Sequence, residues 1–370
     1  MATLHDVHTP TLSACSTLPV SQPQPVDGRT IDNTGYCILS LDGGGIRGLS
    51  TLYILKSIME GLNNARKAAG LKSRKPCEIF DLIGGTSTGG LIAIMLGHLE
   101  MSVDECIEAY NKMMKRVFEK KKNRSIMGIT LKVQARFESE VLKEAISQVI
   151  REAGASPNEP FENGRKPKCK VFVCTKTQET NTITHLRNYI LPRGSIRNPS
   201  ILEAALATSA APTYFTPVEI SGSKFVDGAI GANNPAVEVE EEASDIWCEE
   251  SGQLQPLVKC FISVGTGNPG YRHVSDRSFK YFVETLQKVA SETEATNQRW
   301  QGRWRKGFND YRCFRFNVNG LENVGLAEYK EKATIKGVTD TYLEERHTLV
   351  QVRRCVENLR MKECTSDRAS

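Results

Sequence analysis

The 370-residue sequence predicts an α/β fold, with a mostly parallel central sheet sandwiched between helices. Two strand–glycine–helix units support this prediction, one over 36–58 and one over 79–96. Further short apolar runs alternate with helical stretches, a pattern typical of parallel strands joined by helices. The composition, 39% hydrophobic and 25% charged, is that of a globular domain and argues against coiled coil, collagen-like fibre and wholesale disorder.

The first unit predicts a buried strand over 36–41, a run of three glycines, and a helix with apolar residues at helical spacing up to Ile58. The second predicts a strand over 79–83, a tight turn over 84–90, and a buried helix that starts with 91–96. Charged helical sequence follows at 102–152, and then a loop rich in Pro, Gly and Asn at 154–167. Further strands are predicted at 170–175, 182–189, 224–226, 258–264 and 311–318, and helices at 199–207 and 235–247.

Composition along the chain predicts one folded domain between two polar ends. Residues 1–34 are rich in Pro, Ser and Thr, show no secretory signal, and are predicted to be a flexible lead-in. Residues 35–361 form the predicted domain, and 362–370 are predicted to be a disordered tail.

Charge and cysteine usage narrow the function classes. A net charge of +5 is well below that of a dedicated nucleic-acid binder. The longest apolar stretch, 91–96, is far shorter than the ~18 residues of a membrane span, so no transmembrane segment is predicted. Eleven cysteines without a CxxC pair or zinc-ligand spacing indicate reduced thiols in the cytoplasm.

The strongest local motif is Gly85-Thr86-Ser87-Thr88-Gly89, between a predicted strand and a predicted helix. It matches the G-x-S-x-G nucleophile elbow, in which a serine sits on a strained turn and small neighbours let strand and helix approach. The helix N-terminus would also favour negative charge that develops at Ser87. The structural alternative is a glycine-rich turn whose serine only caps the helix.

A second glycine-rich motif, Asp42-Gly43-Gly44-Gly45-Ile46-Arg47-Gly48, follows the first strand. Three adjacent glycines place unobstructed N–H groups at a helix N-terminus, where they can bind an anion. In acyl transfer these amides, above all those of Gly44 and Gly45, would form an oxyanion hole. Arg47 would position the loop or meet an anionic headgroup.

The same motif has a rival interpretation as a dinucleotide-binding fingerprint of an oxidoreductase. Gly43, Gly45 and Gly48 have the G-x-G-x-x-G spacing, and Glu60 would be the acid that binds the ribose. A dinucleotide-binding domain, however, has no need of a second glycine turn with Ser87 at its tip.

The third motif is Asp227-Gly228-Ala229, directly after an apolar pair. An Asp-Gly step between apolar residues is usually a hairpin turn, and on the motif alone that interpretation is favoured. The functional alternative makes Asp227 the base that accepts the proton of Ser87. None of the six histidines lies in a context that supports it as the base: His5, His8, His98, His185, His273 and His347.

Together and in this order, the three motifs resemble the patatin-like phospholipase family. The matching sequences are 42–48, 85–89 and 227–229, with flanking similarity at 80–84, 207–215 and 263–267. The resemblance covers 36–267 and extends loosely to about 345. It implies a patatin-like, three-layer α/β/α fold, and it implies that 35–361 are the catalytic domain.

The resemblance implies a Ser–Asp catalytic dyad in place of a triad. Ser87 is then the nucleophile, Asp227 the general base, and the Gly43–Gly45 amides the oxyanion hole. The residues that support these motifs are Asp42, Arg47, Gly48, Gly85, Gly89, Gly228 and Ala229. The implied reaction is calcium-independent hydrolysis of fatty-acyl esters in phospholipids or related glycerolipids through an acyl-Ser87 intermediate, with no metal or organic cofactor.

The implied partner is a phospholipid or glycerolipid at a membrane surface, met through peripheral contact and without nucleic acid. A non-catalytic lipid-binding or signalling module on the same fold is the main alternative. Intact Ser87 and Asp227 argue against it.

Two charged segments also suggest surface contacts. The basic stretch 112–124 contains Met113, Met114 and Val117, so it could lie on anionic lipid, but packing of these apolar side chains into the core is favoured. The stretch 299–316 interleaves basic and aromatic residues, yet the alternation toward its end favours a half-buried strand over nucleic-acid contact.

Overall fold

A computed structural model of the chain describes residues 35–119, 138–191, 198–212, 214–248, 253–267, 280–360 and 362. Within these ranges eight strands form one sheet: β1 (Tyr36–Leu41), β2 (Leu82–Thr86), β3 (Lys170–Thr177), β4 (Ile183–Arg187), β5 (Val218–Ile220), β6 (Ser223–Asp227), β7 (Val258–Val264) and β8 (Cys313–Phe316). The α-helices of the same ranges are α1 (Gly48–Ala68), α2 (Pro76–Ile79), α3 (Thr88–Ala93), α4 (Val103–Phe118), α5 (Ser139–Glu152), α6 (Ile201–Ser209), α7 (Ala229–Ala232), α8 (Ala236–Trp247), α9 (Lys280–Arg303), α10 (Arg305–Asn309), α11 (Lys332–Glu344) and α12 (Arg346–Arg360). A π-helical segment, Ile94–His98, extends α3.

The sheet is mixed but mostly parallel. Its strand order is β5-β6-β3-β2-β1-β7-β8, and β4 also pairs with β3. The strands β3, β2, β1, β7 and β8 run parallel, whereas β4, β5 and β6 pair with their neighbours antiparallel. The predicted α/β fold with a mostly parallel sheet is confirmed.

Helices cover both faces of this sheet, as the burial of β1 illustrates. Successive side chains of a strand point to opposite faces. Cys37, Leu39 and Leu41 belong to the larger apolar core, which includes side chains of α1, α3, α4, α5 and α6. Tyr36 and Ile38 belong to a second core with α8, α9 and the partly buried Phe308 of α10. The central strands are therefore buried on both sides.

The strand β2 begins and ends later than predicted. Residues 79–83 were predicted as the strand, but Ile79 ends the short helix α2, and β2 runs to Thr86. Pro76 occupies the first turn of α2, where its missing N–H costs nothing, and the Lys75 N–H donates to Glu78 Oε2 at 2.8 Å. This local capping outweighs the apolar pattern and moves the strand toward the glycines.

The hairpin turn at Asp227-Gly228, which the motif alone favours, does not form. The turn between β5 and β6 lies at Ser221 and Gly222, whereas Asp227 ends β6 and α7 follows it. The strand β5 was not predicted, because a three-residue strand carries too short a period-two pattern to be recognised.

The other predicted elements are confirmed, with ends shifted by at most two residues: β3, β4, β6, β7, β8, α6 and α8. The predicted helical stretch 102–152 contains α4 and α5, and 120–137 lie outside the described residues. The predicted lead-in and residues 363–370 lie outside them as well, whereas Lys362 donates to Asp81 Oδ2 at 2.9 Å.

Core packing is confirmed for both charged segments as far as they are described. Met113, Met114 and Val117 on α4 are at most 3% exposed. Phe314 and Phe316 on β8 are equally buried. Residues 120–124 of the basic segment are not among the described residues.

No helix in the described ranges combines the length and apolarity that crossing a bilayer requires. The nine cysteines in these ranges are buried, and none of them forms a disulfide with another.

Candidate active site

Ser87 occupies a strained turn between β2 and α3. Its backbone dihedrals are φ 55° and ψ −126°, a region that non-glycine residues rarely adopt. Such a conformation costs about 1–3 kcal/mol and persists only where the surroundings enforce it. The turn is the geometry of a nucleophile elbow.

The two glycines that flank the turn allow this close approach. A Cβ on Gly85 would lie 2.3 Å from the carbonyl oxygen of Gly89. A Cβ on Gly89 would lie 2.3 Å from Leu41 O and 2.5 Å from Asp42 O. Since these contacts are with backbone atoms, which cannot move aside, any side chain at either position would force strand and helix apart.

The elbow is anchored from behind by Thr208 of α6. The Ser87 N–H donates to Thr208 Oγ1 at 2.9 Å, and that hydroxyl donates to Cys174 O of β3 at 2.7 Å. Thr208 therefore ties the turn to the neighbouring strand, which helps to hold Ser87 in its strained conformation.

Strand register brings Asp227 to Ser87. Thr86, the last residue of β2, pairs with Cys174 of β3, and Asp227, the last residue of β6, pairs with Thr175. Because β4 occupies the opposite side of β3, β2 and β6 lie on the same side and meet at their carboxyl ends. The Ser87 hydroxyl lies close enough to the Asp227 carboxyl group to lower its pKa as a hydrogen-bond donor.

The Asp227 carboxyl group is held in a nearly dry environment. It is 1% exposed, and its Oδ1 accepts a 2.8 Å hydrogen bond from the Ala229 N–H. Burial raises the pKa of Asp227 to about 7, against the opposing effect of the hydrogen bonds from Ser87 and Ala229. A carboxylate with such a pKa is a much stronger base than an ordinary aspartate.

Gly228 fits closely behind this carboxyl group. A Cβ at this position would lie 2.7 Å from Cys174 O, so the chain leaves β6 here with no room for a side chain.

The triple-glycine loop lies directly beside Ser87. A Cβ on Gly43 would be 3.1 Å from the Cβ of Ser87. One on Gly44 would be 2.0 Å from Thr266 Oγ1, and one on Gly45, where φ is +56°, would be 2.1 Å from Leu326 O. The loop is thus packed on three sides, and each glycine lets the backbone approach a different neighbour.

The three amides of this loop differ in their hydrogen bonds. The Gly43 N–H donates to Asn233 O at 3.0 Å, and the Gly44 N–H donates to Thr88 Oγ1 at 3.1 Å. Within the described ranges the Gly45 N–H has no acceptor. Of the three amides, that of Gly45 is therefore the one that these ranges leave without an acceptor.

Asp42 anchors the start of the loop through a buried ion pair. Arg315 of β8 donates to both of its carboxylate oxygens, at 2.8 and 2.6 Å, and also to Ser263 Oγ at 2.7 Å. Burial raises the pKa of Asp42, while Arg315 lowers it. The pair joins β1, β7 and β8 immediately before the glycines.

The end of the loop packs against α4. The Tyr110 hydroxyl donates to Gly45 O at 2.6 Å, and a Cβ on Gly48 would lie 2.5 Å from that hydroxyl. Arg47 is 6% exposed, which favours its predicted role in positioning the loop over contact with a headgroup at the surface.

A profile of the patatin-like phospholipase family matches residues 39–239, more than half of the chain. The chain belongs to this family. It is 29% identical over 332 residues to human calcium-independent phospholipase A2-gamma. That alignment covers 83% of this chain and 37% of the human protein. It is 28% identical over 300 residues to phospholipase A I of Arabidopsis thaliana, and the alignment covers 66% of this chain and 21% of that protein. It is 32% identical over 211 residues to the cGAMP-activated phospholipase of Vibrio cholerae, and the alignment covers 54% of this chain and 55% of that protein.

The chain thus spans between about a fifth and just over half of the length of these relatives. The predicted resemblance to the patatin-like phospholipases is confirmed, and so is the fold that it implied.

His185 is engaged on both ring nitrogens. Its Nε2 is 2.7 Å from Glu238 Oε2, and its Nδ1 is 2.8 Å from Glu242 Oε2. Burial opposes protonation, but hydrogen bonds with Cys174, Glu238 and Glu242 raise the pKa of His185 well above its usual value. A histidine bound in this way serves the packing of α8 on β4 and has no free nitrogen for Ser87.

The other two described histidines have contacts that do not include Ser87. His98 ends the π-helical segment, with its Nδ1 3.3 Å from Asn188 Nδ2, and His347 is exposed beside Glu345. Neither contacts Ser87 in the described hydrogen-bond network.

The dinucleotide interpretation is not supported by the position of Glu60. This residue lies on α1, 12 residues after Gly48, so it is about 18 Å along the helix from the glycines. It forms an i,i+4 ion pair with Lys56 at 3.4 Å. The ribose-binding acid of a dinucleotide fold would follow the second strand instead.

Sequence reasoning missed four residues that shape the candidate active site: Thr208, Asn233, Thr266 and Arg315. Thr208 and Thr266 lie inside the flanking similarities at 207–215 and 263–267, so that signal was present but was not assigned a role. Asn233 and Arg315 lie outside every motif, and only the fold brings them to the glycine loop.

Proposed function

We propose that this patatin-like phospholipase domain is a lipid acyl hydrolase that cleaves fatty-acyl esters of phospholipids or related glycerolipids. The observation that carries the proposal is that Ser87, on its strained turn, and the buried Asp227 meet at the carboxyl ends of β2 and β6, beside the glycine loop. The names of the similar proteins, which are phospholipases, support the substrate class.

In the acylation step, Ser87 Oγ attacks the carbonyl carbon of the acyl ester and passes its proton to the Asp227 carboxylate. The carbonyl oxygen becomes an oxyanion in the tetrahedral intermediate. When the bond from carbon to the glycerol oxygen breaks, Asp227 returns the proton to that oxygen. The deacylated lipid leaves, and the acyl group stays on Ser87 as an ester.

The oxyanion is stabilised in this proposal by the amides of Gly44 and Gly45. The Gly44 N–H is held by Thr88 Oγ1 at 3.1 Å, near the long end of the range for such bonds, and an anionic oxygen is a stronger acceptor than a hydroxyl. Loss of one such donor typically costs about 3–4 kcal/mol of transition-state stabilisation.

Deacylation uses the same groups in the reverse order. Water attacks the acyl-Ser87 carbonyl carbon and gives a proton to Asp227, which then protonates Ser87 Oγ as the fatty acid departs. No step calls for a metal ion, and in the described ranges no group of three or more His, Cys, Asp or Glu side chains is arranged to hold one. EDTA is therefore expected to leave the rate unchanged.

We propose that the reaction takes place at membrane surfaces that face the cytoplasm. The nine described cysteines are buried and form no disulfide with one another, which supports a reducing compartment.

An activity-based probe tests the nucleophile. A fluorophosphonate is expected to label the wild-type protein and His98→Ala at Ser87, and to leave Ser87→Ala unlabelled. Ser156→Ala, which alters an exposed serine, is the matched control and should label normally. The variants that label should also release fatty acid from mixed phospholipid vesicles, measured by mass spectrometry, and Ser87→Ala should release none.

A folded wild-type protein that neither labels nor releases fatty acid would favour the non-catalytic lipid-binding module. Labelling that survives in Ser87→Ala would place the nucleophile at another residue.

The pH profile tests the base. Because the carboxylate form of Asp227 accepts the proton and burial raises its pKa to about 7, kcat/KM is expected to rise with pH through an apparent pKa of about 7. Initial rates on a soluble short-chain ester between pH 4 and 9 measure this limb. A plateau that already begins near pH 5 would mean that the base titrates as an ordinary aspartate or is a different group.

A further inference from the structure

An open cleft lies between α1, α4 and α11, outside the site described above. Its volume is about 650 Å³, within the range of small-molecule sites. Four lysines line it: Lys112 and Lys115 from α4, and Lys332 and Lys336 from α11. Side chains of like charge from two separate helices converge on one space, which is the arrangement expected of an anion site.

The acidic residues of the cleft wall are already neutralised. Asp104 forms an ion pair with Lys56, and Glu108 forms one with Lys112 at 2.8 Å. Neither carboxylate is left to cancel the remaining lysines.

Two of the four lysines have no carboxylate partner in the part of the chain that the structure describes. Lys336 is paired with Asp340 at 2.5 Å, but Lys115 and Lys332 contact no Asp or Glu within those ranges. Both are exposed, so their charges face the open cleft. The cleft therefore carries a net positive charge that an incoming anion can pair with.

Two tyrosines hold the α11 lysines on the cleft wall. Lys332 Nζ is 5.2 Å from the ring centroid of Tyr329 and 3.3 Å from its hydroxyl oxygen. Lys336 Nζ is 5.7 Å from the ring centroid of Tyr53. Cation–π contacts of this kind orient the ammonium groups and reduce the entropy that they lose when a ligand binds.

The cleft lies just behind the glycine loop. Tyr110, on the α4 segment between Ile107 and Asn111 of the cleft wall, donates to Gly45 O. The Ile46 N–H donates to Leu326 O at 2.8 Å, three residues before Tyr329 of the cleft wall. A ligand in the cleft would thus be bound next to the loop that carries the candidate oxyanion donors.

We propose that this cleft binds a phosphate-ester anion of the size of a phosphorylated lipid headgroup, at a place separate from Ser87. Phosphate oxygens suit several lysines at once, and the volume exceeds what a single inorganic phosphate needs. On an anionic membrane such a site would hold the domain at the surface through a lipid other than the one hydrolysed. The apolar face of α4 takes no part, because it is buried in the core.

Binding, measured without turnover, tests the proposal independently of the proposed hydrolase activity. The Ser87→Ala protein is mixed with phosphatidylcholine vesicles with or without phosphatidylinositol phosphate, and the bound fraction is measured by sedimentation. Lys115→Gln/Lys332→Gln in the same background is expected to lower partitioning onto the anionic vesicles about 30-fold, since each lysine near such a surface contributes about five-fold.

The matched control is Lys67→Gln/Lys72→Gln, which makes the same charge change on exposed lysines at and beyond the far end of α1. It should bind like the parent protein. Lys115→Arg/Lys332→Arg should retain binding, and salt should weaken it. Equal loss in both Gln pairs, or none in either, would overturn the proposal.

Titration calorimetry with inositol trisphosphate and with inorganic phosphate separates the two sources of the anion. If lipid is the source, the anionic vesicles bind far more tightly than either soluble anion. If a soluble phosphate ester is the source, inositol trisphosphate binds the parent protein in solution. The double variant Lys115→Gln/Lys332→Gln then shows no heat of binding. The absence of binding in both arms would rule the site out.

Discussion

Asp227→Asn is expected to fold normally and to lower fatty-acid release by about 10²–10⁴-fold, the usual contribution of a general base. The amide has nearly the same shape as the carboxylate, and its oxygen can still accept the hydrogen bond from the Ala229 N–H. The amide cannot take the proton of Ser87, so the attacking hydroxyl would have to lose its proton in a dry site that offers no base. The measurement is kcat on phospholipid vesicles and on a soluble ester.

Unfolding experiments separate this chemical effect from damage to the fold. The folded pKa of Asp227 is about 7, against about 3.9 in the unfolded chain, so the folded state holds the proton more tightly. The ionised, buried carboxylate therefore costs stability that grows from pH 4 to pH 7 and is constant above it. Asp227→Asn removes that cost, and its free energy of unfolding should exceed that of the wild type by up to about 4 kcal/mol at pH 8 and by almost nothing at pH 4.

Asp245→Asn is the matched control, because it makes the same chemical change at an exposed position of α8. It should keep full activity and the wild-type dependence of stability on pH. Near-normal turnover in Asp227→Asn would show that another base serves Ser87. A loss of activity accompanied by a loss of stability at pH 8 would mean that Asp227 is mainly a packing residue.

The local parts of this site could be predicted from the sequence because their causes are local. A serine between two glycines, after an apolar run, predicts a strained turn, and the structure places Ser87 in one, at φ 55°. Three glycines in succession predict a loop that other backbone approaches, as Leu326 O does at Gly45. In each case the pattern of a few neighbouring residues determines the backbone.

The parts that could not be predicted depend on distant partners. Thr208 is 121 residues from Ser87, and Arg315 is 273 residues from Asp42. Threonine and arginine are common in any chain, so nothing local marks these two. The meeting of β2 and β6 at their carboxyl ends depends on the register of both strands against β3, which no single stretch specifies.

Asp227 shows how tertiary structure can reverse a sound local expectation. An Asp-Gly step after an apolar strand favours a hairpin turn, yet the hairpin that leads into β6 turns earlier, at Ser221 and Gly222. The Asp227 N–H donates to Ala210 O at 3.0 Å, and the chain then enters α7. The contact with the segment after α6 replaces the pairing that a second hairpin would have needed.

Arg315→Met is expected to be the most destabilising single substitution considered, by about 3–5 kcal/mol at pH 8, because it leaves Asp42 charged and buried without a partner. Asp42 is 1% exposed, and both of its oxygens accept hydrogen bonds from Arg315. Since Gly43 follows directly, the protein that remains folded should also lose activity through displacement of the glycine loop. The measurements are urea unfolding and kcat on a soluble ester.

The pH dependence of this loss identifies its cause. Burial already raises the pKa of Asp42, and without Arg315 it should rise further, so that at low pH the carboxyl group is folded in its neutral form. The destabilisation should therefore be smaller at pH 5 than at pH 8. Asp42→Asn/Arg315→Met, which removes both charges, should recover part of the stability, with a coupling energy of about 1–3 kcal/mol between the two positions.

Arg151→Met is the control for a change of arginine to methionine, because Arg151 is half exposed and its pair with Glu144 spans 3.3 Å. Such surface pairs contribute little, so its free energy of unfolding should change by at most about 0.5 kcal/mol. If Arg315→Met behaves like this control, the ion pair does not hold the loop. If it is equally destabilising at pH 5 and pH 8, the loss comes from packing of the long side chain between β7 and β8, with the charge of Asp42 playing no part.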